Sequence, residues 1–430
     1  MRSREWRSFP PQLRAGLLSR LADLILRDAD DLATIEAIDA GILFRDSKTL
    51  HIPQAVETLR FFATLTDTAG RSLDIPGGFA YTRREPFGVC AAIVAWNAPL
   101  MITIWKLAPA IATGNVLIIK TSELAPLYGQ KLAQLVLEAG FPPGVIAILP
   151  GLGQVAGKAL AEHSLVRKIS FTGSRLTGRS ILKAAAATNL KKVTLELGGK
   201  SPSIVFDDAD IDNAVFWTEL GSTANNGQVC ALGSRIYVQD SIYDGFVKAF
   251  QQRAAVTKPT YGDPLSSKTT KGPIINRTQY EKILHYIKKG KEEGGKLLLG
   301  GSALDSGIFV ENTVFTDVTE DMTVVREEIF GPVATITKFS SEDEVVSKAN
   351  ASEYGLNAAV FTKDISRARR VSDALEVGTV TVNCWGILNA NTPFGGVKQS
   401  GFGRDMGLEA LNEWTTVKTV KHLLLNPVKI

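Results

Sequence analysis

The sequence predicts an α/β protein built from two sheet layers, and three observations carry that expectation. From Val89 onward, short aliphatic runs alternate with stretches of helical periodicity, as parallel strands buried beneath helices do. Glycines punctuate the helical stretches at Gly114 and Gly140, leaving only short connections. The alternation then pauses at Gly198 and Gly199 and restarts as a second series.

The elements follow from the same patterns. Leu17, Leu18, Leu21, Leu24 and Ile25 recur at helical spacing; a second helix starts near Asp30 and stops at Gly41. A third helical run spans 56–68 and ends at Gly70. Strands are expected at 89–95, 115–120, 144–149, 167–171 and 193–197, the last intervening helix ending just before Asn189. The second series places strands at 203–206, 235–238, 333–339, 358–361 and 379–383. Lysine- and glycine-rich turns occupy 288–301, and no internal repeat or low-complexity tract interrupts the chain.

Composition narrows the function classes. The chain has 430 residues, enough for two or three domains. Lysine plus arginine total 48 against 44 acids, a formal charge of +4 that makes no nucleic-acid footprint. Three cysteines, Cys90, Cys230 and Cys384, exclude a disulfide framework and a zinc ribbon, and no metal site is expected. Reduced thiols suggest a cytoplasmic protein. Residues 86–105 carry no charge over a length that can span a membrane. Asn97 and Pro99 interrupt that run, so a buried strand, a turn and a helix start are expected there and no membrane partner. The N-terminus has arginines but no apolar signal core.

Two glycine patterns offer phosphate grips. GLGQVAG at 151–157 follows a strand and opens a helix, but lacks the third glycine in register and the later acid of a dinucleotide turn. GSRLTGRS at 173–180 misses a P-loop because Arg179 stands where lysine belongs. It still offers free N–H groups at a helix start, with Ser174 beside them. Cys230 lies in NNGQVCALGSR, a polar loop of small residues, and is a candidate nucleophile or a small buried hydrophobe. Its unperturbed pKa of about 8.5 leaves the thiolate a minority at pH 7 unless the site lowers it. With no recognisable Cys–His signature, the base must be a carboxylate, and Glu196 inside the apolar run VTLEL is the candidate. Burial there raises a carboxyl pKa, whereas a solvated strand face leaves it ordinary. Asn97 in AWNAP is either a turn residue or an amide donor for an oxyanion.

Together the segments EPFGV, AWNAP, KLAPAIATGNVLIIKTSELAP, FTGS, LELGGKSP, NNGQVC, EEIFGP and PFGGVKQSGFGR resemble the aldehyde dehydrogenase superfamily, in order and spacing, over nearly the whole chain. The N-terminal match includes Trp6 and RDADDLATIEAIDAG. The resemblance implies a doubly wound, Rossmann-like NAD-binding domain at 1–67 and 87–198. It further implies a second α/β catalytic domain at 199–398 and a small oligomerisation arm from 68–86 and 412–425, in a homodimer or homotetramer. It implies Cys230 as the nucleophile forming a thiohemiacetal and then a thioester. Asn97 and the Cys230 N–H resemble its oxyanion hole, and Glu196 its hydrolytic base. Lys120 and Glu123 resemble the adenosine-ribose contacts, an acid there favouring NAD over NADP. Gly173, Ser174 and Trp96 resemble pyrophosphate contacts, Gln279 and Glu328 nicotinamide-ribose contacts, and Leu197 and Phe330 nicotinamide-pocket residues.

The chain departs from the family's pattern in three places. It begins well inside the usual N-terminus, Ala98 replaces a frequent phenylalanine, and WGILNANT precedes Pro393. A truncated, catalytically weak relative serving a structural or interaction role is the alternative expectation. A CoA-acylating relative lacks the hydrolytic base that Glu196 resembles, and a P-loop NTPase requires lysine at Arg179.

Overall fold

The computed structural model describes residues 6, 8–67, 70–304 and 307–424. A six-stranded sheet runs in the order Gly401–Phe402, Lys192–Glu196, Lys168–Thr172, Val89–Ile93, Val116–Lys120, Ile146–Leu149. The last five strands are parallel, and Gly401–Phe402 closes one edge antiparallel to Glu196 and Leu195. In chain order the sheet grows outward from Val89–Ile93 to one side, then from Lys168–Thr172 to the other. This is a doubly wound, Rossmann-like sheet whose switch point lies between those two strands. Ligand crevices open outside the carboxyl ends of strands at such a point. Residues 94–97 and Gly173 with Ser174 stand on that rim.

Apolar helices cover both faces of this sheet. Pro11–Arg27, Ile52–Ala63 and Pro99–Ala112 pack with Trp6, Cys90, Ala92 and Leu117 into the main core. Leu160, Ala161, Ile181 and Ala185 pack on the other face against Ile93, Ile169, Phe171 and Leu195. Every residue of Pro99–Ala112 is buried, which explains its membrane-like composition. Pro99 takes a first-turn position, where its missing N–H costs nothing. Among the described residues, no helix is long and apolar enough to cross a membrane.

The second sheet has seven strands in the order Lys296–Leu299, Thr313–Thr316, Val333–Phe339, Arg235–Gln239, Pro202–Val205, Asn357–Phe361, Thr379–Val382. All neighbours are parallel except the first pair. Its strands Pro202–Val205 and Arg235–Gln239 start from the segments that carry Gly198, Gly199 and Cys230. The amino edge of the second sheet therefore meets the carboxyl edge of the first. A third, antiparallel sheet joins Ser72–Ile75, Gly78–Pro86 and Thr415–Leu423, and most of its residues are exposed.

Some boundaries differ from the sequence expectation. The helix expected at 56–68 is Ile52–Ala63: Pro53 sets its first turn, and Thr64 and Leu65 close it by donating to Phe61 and Phe62. Residues 68, 69 and 425 of the expected arm, and residues 1–5 and 7 of the expected first domain, lie outside the described residues. Lys296–Leu299 went unread because it is a half-exposed edge strand within the lysine- and glycine-rich stretch.

Candidate active site

Glu196 ends strand Lys192–Glu196, and its own strand geometry buries it. Its backbone pairs with Gly401 on one side and its carbonyl accepts from the Gly173 N–H at 3.0 Å on the other. The side chain is buried, and Oε1 has no hydrogen-bond partner. Burial, then the nearby Asp405 charge, pushes the carboxyl well above its ordinary range, against the opposing pull of Lys106 and Arg404. A void of about 10 Å³, room for about one water, lies between Glu196, Lys106 and Asp405. Lys106 and Asp405 form a buried ion pair behind it.

The loop that carries Cys230 is shaped by three consecutive left-handed residues, Asn225, Asn226 and Gly227, with φ of 47°, 54° and 71°. Asparagine tolerates that region, and glycine is required at the third place. A Cβ on Gly227 would lie 2.0 Å from the Gly331 carbonyl oxygen, so the EEIFGP turn seats directly on the loop. Asn97 and the loop hold one another: Asn97 Nδ2 donates to the Gln228 carbonyl at 3.0 Å, and Asn225 Nδ2 donates to the Asn97 carbonyl at 2.9 Å. One of the two Asn97 amide hydrogens is thereby used and one remains. Trp385 Nε1 donates to the Ala231 carbonyl at 3.0 Å, and a Cβ on Gly199 would meet the Cys230 carbonyl at 2.6 Å. Cys230 is thus fixed from several sides.

The Cys230 thiol is half-buried. Burial, followed by the charges of Glu196 and Glu328, pushes its pKa well above the ordinary value; the N–H groups of Ala231 and Cys230 itself partly oppose this. The sequence left open whether the site lowers this pKa; here it raises it. The Glu196 charge is thus among the groups that act on the Cys230 thiol.

Of the remaining expected residues, Trp96, Lys120, Glu123, Gly173, Ser174 and Leu197 stand at or just beyond the carboxyl ends of strands of the first sheet, and Gln279, Glu328 and Phe330 lie on other segments. Lys120 Nζ donates to Glu123 Oε2 at 2.9 Å and to the Thr121 carbonyl at 2.9 Å. Glu123 is partly exposed; burial opposes its charge, but its own backbone, Lys120 and the Gly153 N–H bring its pKa below ordinary. Ser174 caps helix Arg175–Ala187 by accepting from the Thr177 N–H. Gly173 packs so closely on Phe171 that a Cβ would lie 2.6 Å from its ring. Leu197 is buried and donates its N–H to the Ser400 carbonyl. Trp96 and Phe330 meet edge to face at 5.4 Å, Phe330 having a positive φ of 59°. Glu328 Oε1 accepts from the Gly199 N–H at 3.1 Å, and burial raises its pKa. Gln279 donates to both the Ile329 and Phe330 carbonyls, at 3.0 and 2.9 Å, so its amide holds the EEIFGP turn.

Arg175 and Arg179 in GSRLTGRS both reach Gln399, and Arg175 also pairs with Glu353, so the two cations of that motif are spent on protein groups. Sequence reasoning missed Lys106 and Asp405; a lone lysine inside the apolar WKLAPAIA was a usable signal for the first. Among the described residues, no group of three or more His, Cys, Asp or Glu side chains is arranged to hold a metal. A larger cavity of about 250 Å³ lies between helix Ala29–Ala40 and the segment 263–275, and none of the expected site residues lines it.

A profile described as the aldehyde dehydrogenase family matches residues 2–420. This chain belongs to that family. The human mitochondrial aldehyde dehydrogenase is 50% identical over 418 residues, covering 96% of this chain and 80% of the human protein. An aldehyde dehydrogenase of Emericella nidulans is 48% identical over 422 residues, covering 97% of this chain and 84% of that protein. Among solved structures, an aldehyde dehydrogenase from Bacillus cereus in complex with NAD+ superposes with a TM-score of 0.95 at 41% identity, covering 97% of this chain and 85% of that chain. With the family in hand, the two meeting sheet edges are those of an aldehyde dehydrogenase.

Proposed function

We propose that Cys230, Glu196 and Asn97 form the catalytic centre of this NAD-dependent aldehyde dehydrogenase, which oxidises an aldehyde to a carboxylic acid. The observation that carries the assignment is an unpartnered buried carboxylate electrostatically coupled to a half-buried thiol, on a loop that a side-chain amide holds in place.

The crevice suits a dinucleotide by its donor set. The Lys120 ammonium and Glu123 carboxylate offer a donor and an acceptor to the vicinal hydroxyls of a ribose, and a 2′-phosphate would meet like charge. Gly173, Ser174 and Trp96 line the rim where a pyrophosphate would sit. Leu197, Gln279, Glu328 and Phe330 are assigned to the nicotinamide end, a reading supported by Phe330 packing edge to face on Trp96 and by the Glu328 charge acting on Cys230. Gln279 supports that end through the backbone of Ile329 and Phe330.

In the reaction, the Cys230 sulfur bonds to the aldehyde carbon as its proton is lost, and the carbonyl oxygen becomes an oxyanion. The free Asn97 amide hydrogen and the Cys230 N–H stabilise that charge. Bound NAD supplies the oxidising equivalent by accepting hydride from that carbon, which leaves a thioester on sulfur. Glu196, its pKa raised by burial and by the Asp405 charge, takes a proton from a water that attacks the thioester. The carbon–sulfur bond breaks, the carboxylic acid leaves, and a proton returns to Cys230. The raised thiol pKa means that the sulfur gives up its proton only as it attacks.

We assign residues 1–67 and 87–198 to cofactor binding, 199–398 to catalysis, and 68–86 with 412–425, the segments that contribute the strands of the third sheet, to assembly as a homodimer or homotetramer. Exposed Leu73, Phe79, Val417 and Leu423 on that sheet support the last assignment. Three free cysteines fit a reducing compartment such as the cytoplasm.

Glu196→Gln tests the centre. It should give a burst of about one NADH per subunit, then steady turnover slowed by about 10²–10⁴-fold. Equal loss of burst and steady rate would remove Glu196 from the hydrolytic step.

A further inference from the structure

Helix Ile211–Thr223 leads into the nucleophile loop, and its C-terminal carbonyls carry partial negative charge. The Lys271 ammonium donates to the last of them, Thr223 O. Lys271 opens a strap, 271–275, that continues along the same loop. Asn226 Nδ2 donates to the Gly272 carbonyl at 2.9 Å, and the Ile275 N–H donates to Gln228 Oε1 at 3.0 Å. Gln228 is the residue whose carbonyl holds Asn97. The strap is itself braced from below: a Cβ on Gly272 would lie 2.2 Å from the Gly41 carbonyl oxygen.

We propose that Lys271 is a positioning residue for the reaction, its ammonium capping helix Ile211–Thr223 and so fixing the loop that aims Cys230 and Asn97. The proposal rests on Cys230 being the nucleophile. It adds that the loop's register depends on a charge, beyond the packing of the lysine stem. The groups facing that ammonium are Asp46 from helix Phe44–Asp46 and Glu219 from helix Ile211–Thr223. Arg253 of helix Tyr243–Val256 lies beyond Glu219, paired to it at 2.5 Å. Desolvation outweighs the two acids and brings the Lys271 pKa down to about 8. The cap is therefore charged at neutral pH and lost as pH rises through about 8.

Lys271→Met keeps the stem's length without the charge, and Lys271→Gln restores a neutral donor. Burst rate and the rate of Cys230 alkylation by iodoacetamide, located by peptide mass spectrometry, are followed from pH 6.5 to 9.5. Expected is a burst about tenfold slower than wild type near pH 7 in the Met variant. The wild-type-to-variant ratio should fall toward one above pH 9, with melting temperature nearly unchanged. Alkylation reads the loop whether or not Cys230 is catalytic, and its ratio should follow the same curve. If the Met variant does not fold, the Gln variant carries the same comparison. A deficit that does not change with pH, or no deficit, overturns the proposal.

Discussion

Replacing Glu36 by glutamine removes a negative charge from the interior while keeping the side chain's shape. The carboxylate is fully buried and accepts from three donors: the Leu100 N–H at 3.0 Å, Ser47 Oγ at 2.6 Å and His51 Nδ1 at 3.1 Å. Leu100 lies in the first turn of helix Pro99–Ala112, which starts directly after Asn97 and Ala98, so this carboxylate caps the helix that follows Asn97. A hydrogen bond to a charged group contributes about 1.5–3 kcal/mol, against about 1 kcal/mol for a neutral one. Glutamine keeps at most two of the three bonds, and those as neutral ones, so the loss should be about 2.5–7 kcal/mol. For a cooperative unit of about 150–250 residues this lowers Tm by at least about 5 °C. Burial alone would raise the Glu36 carboxyl, but the charge and hydrogen bond of His51, with Ser47 and Leu100, bring it below the ordinary value. A depressed carboxylate stabilises above its unfolded pKa and loses that contribution as pH falls through its folded pKa. The difference between wild type and Glu36→Gln should thus be constant from pH 6 to 8 and shrink below about pH 5. Thermal melts at fixed protein concentration read this directly. A loss under about 1 kcal/mol, or one that does not shrink in acid, would refute the clamp.

Two further outcomes follow from the site. Glu123→Gln should raise kcat/KM for NADP relative to NAD by about tenfold or more, because removing a charge a few ångströms from a 2′-phosphate is worth about 1–4 kcal/mol; an unchanged ratio would show that Glu123 does not set the preference. Asp405→Asn should move the acidic limb of the thioester-hydrolysis profile to lower pH, since the Asp405 charge helps raise the Glu196 pKa and Lys106, left unpaired, would lower it further; an unmoved limb would separate the pair from the base.

What was legible in the sequence follows physical lines. The expected strands of both parallel series stand within a few residues of their places because sheets covered on both faces demand continuous apolar runs. Thr313–Thr316, buried and parallel to Val333–Phe339, was not expected, because its apolar run is only Val314 and Phe315 between threonines. Glu196 was legible as one carboxylate inside such a run, and its burial makes the base assignment coherent. The edge strand Lys296–Leu299 was not, because it is half-exposed and lies among turn residues. Lys106 and Asp405 stand 299 residues apart, a pairing that no local pattern can report. Gln279 was read only as a ligand contact, whereas the folded chain gives its amide to two carbonyls of the EEIFGP turn. The raised Cys230 pKa was equally out of reach, since it arises from burial and from two carboxylates distant in sequence.

The proposed mechanism requires the acyl intermediate to form on Cys230 and to wait there for Glu196. Glu196→Gln protein is mixed with an aldehyde and NAD, quenched in acid within the burst, digested and analysed by mass spectrometry. The peptide containing Cys230 should gain the mass of the aldehyde less two hydrogens, in step with the NADH released. Acylation of Cys90 or Cys384 instead, or a full burst with the Cys230 peptide unmodified, would contradict the claim.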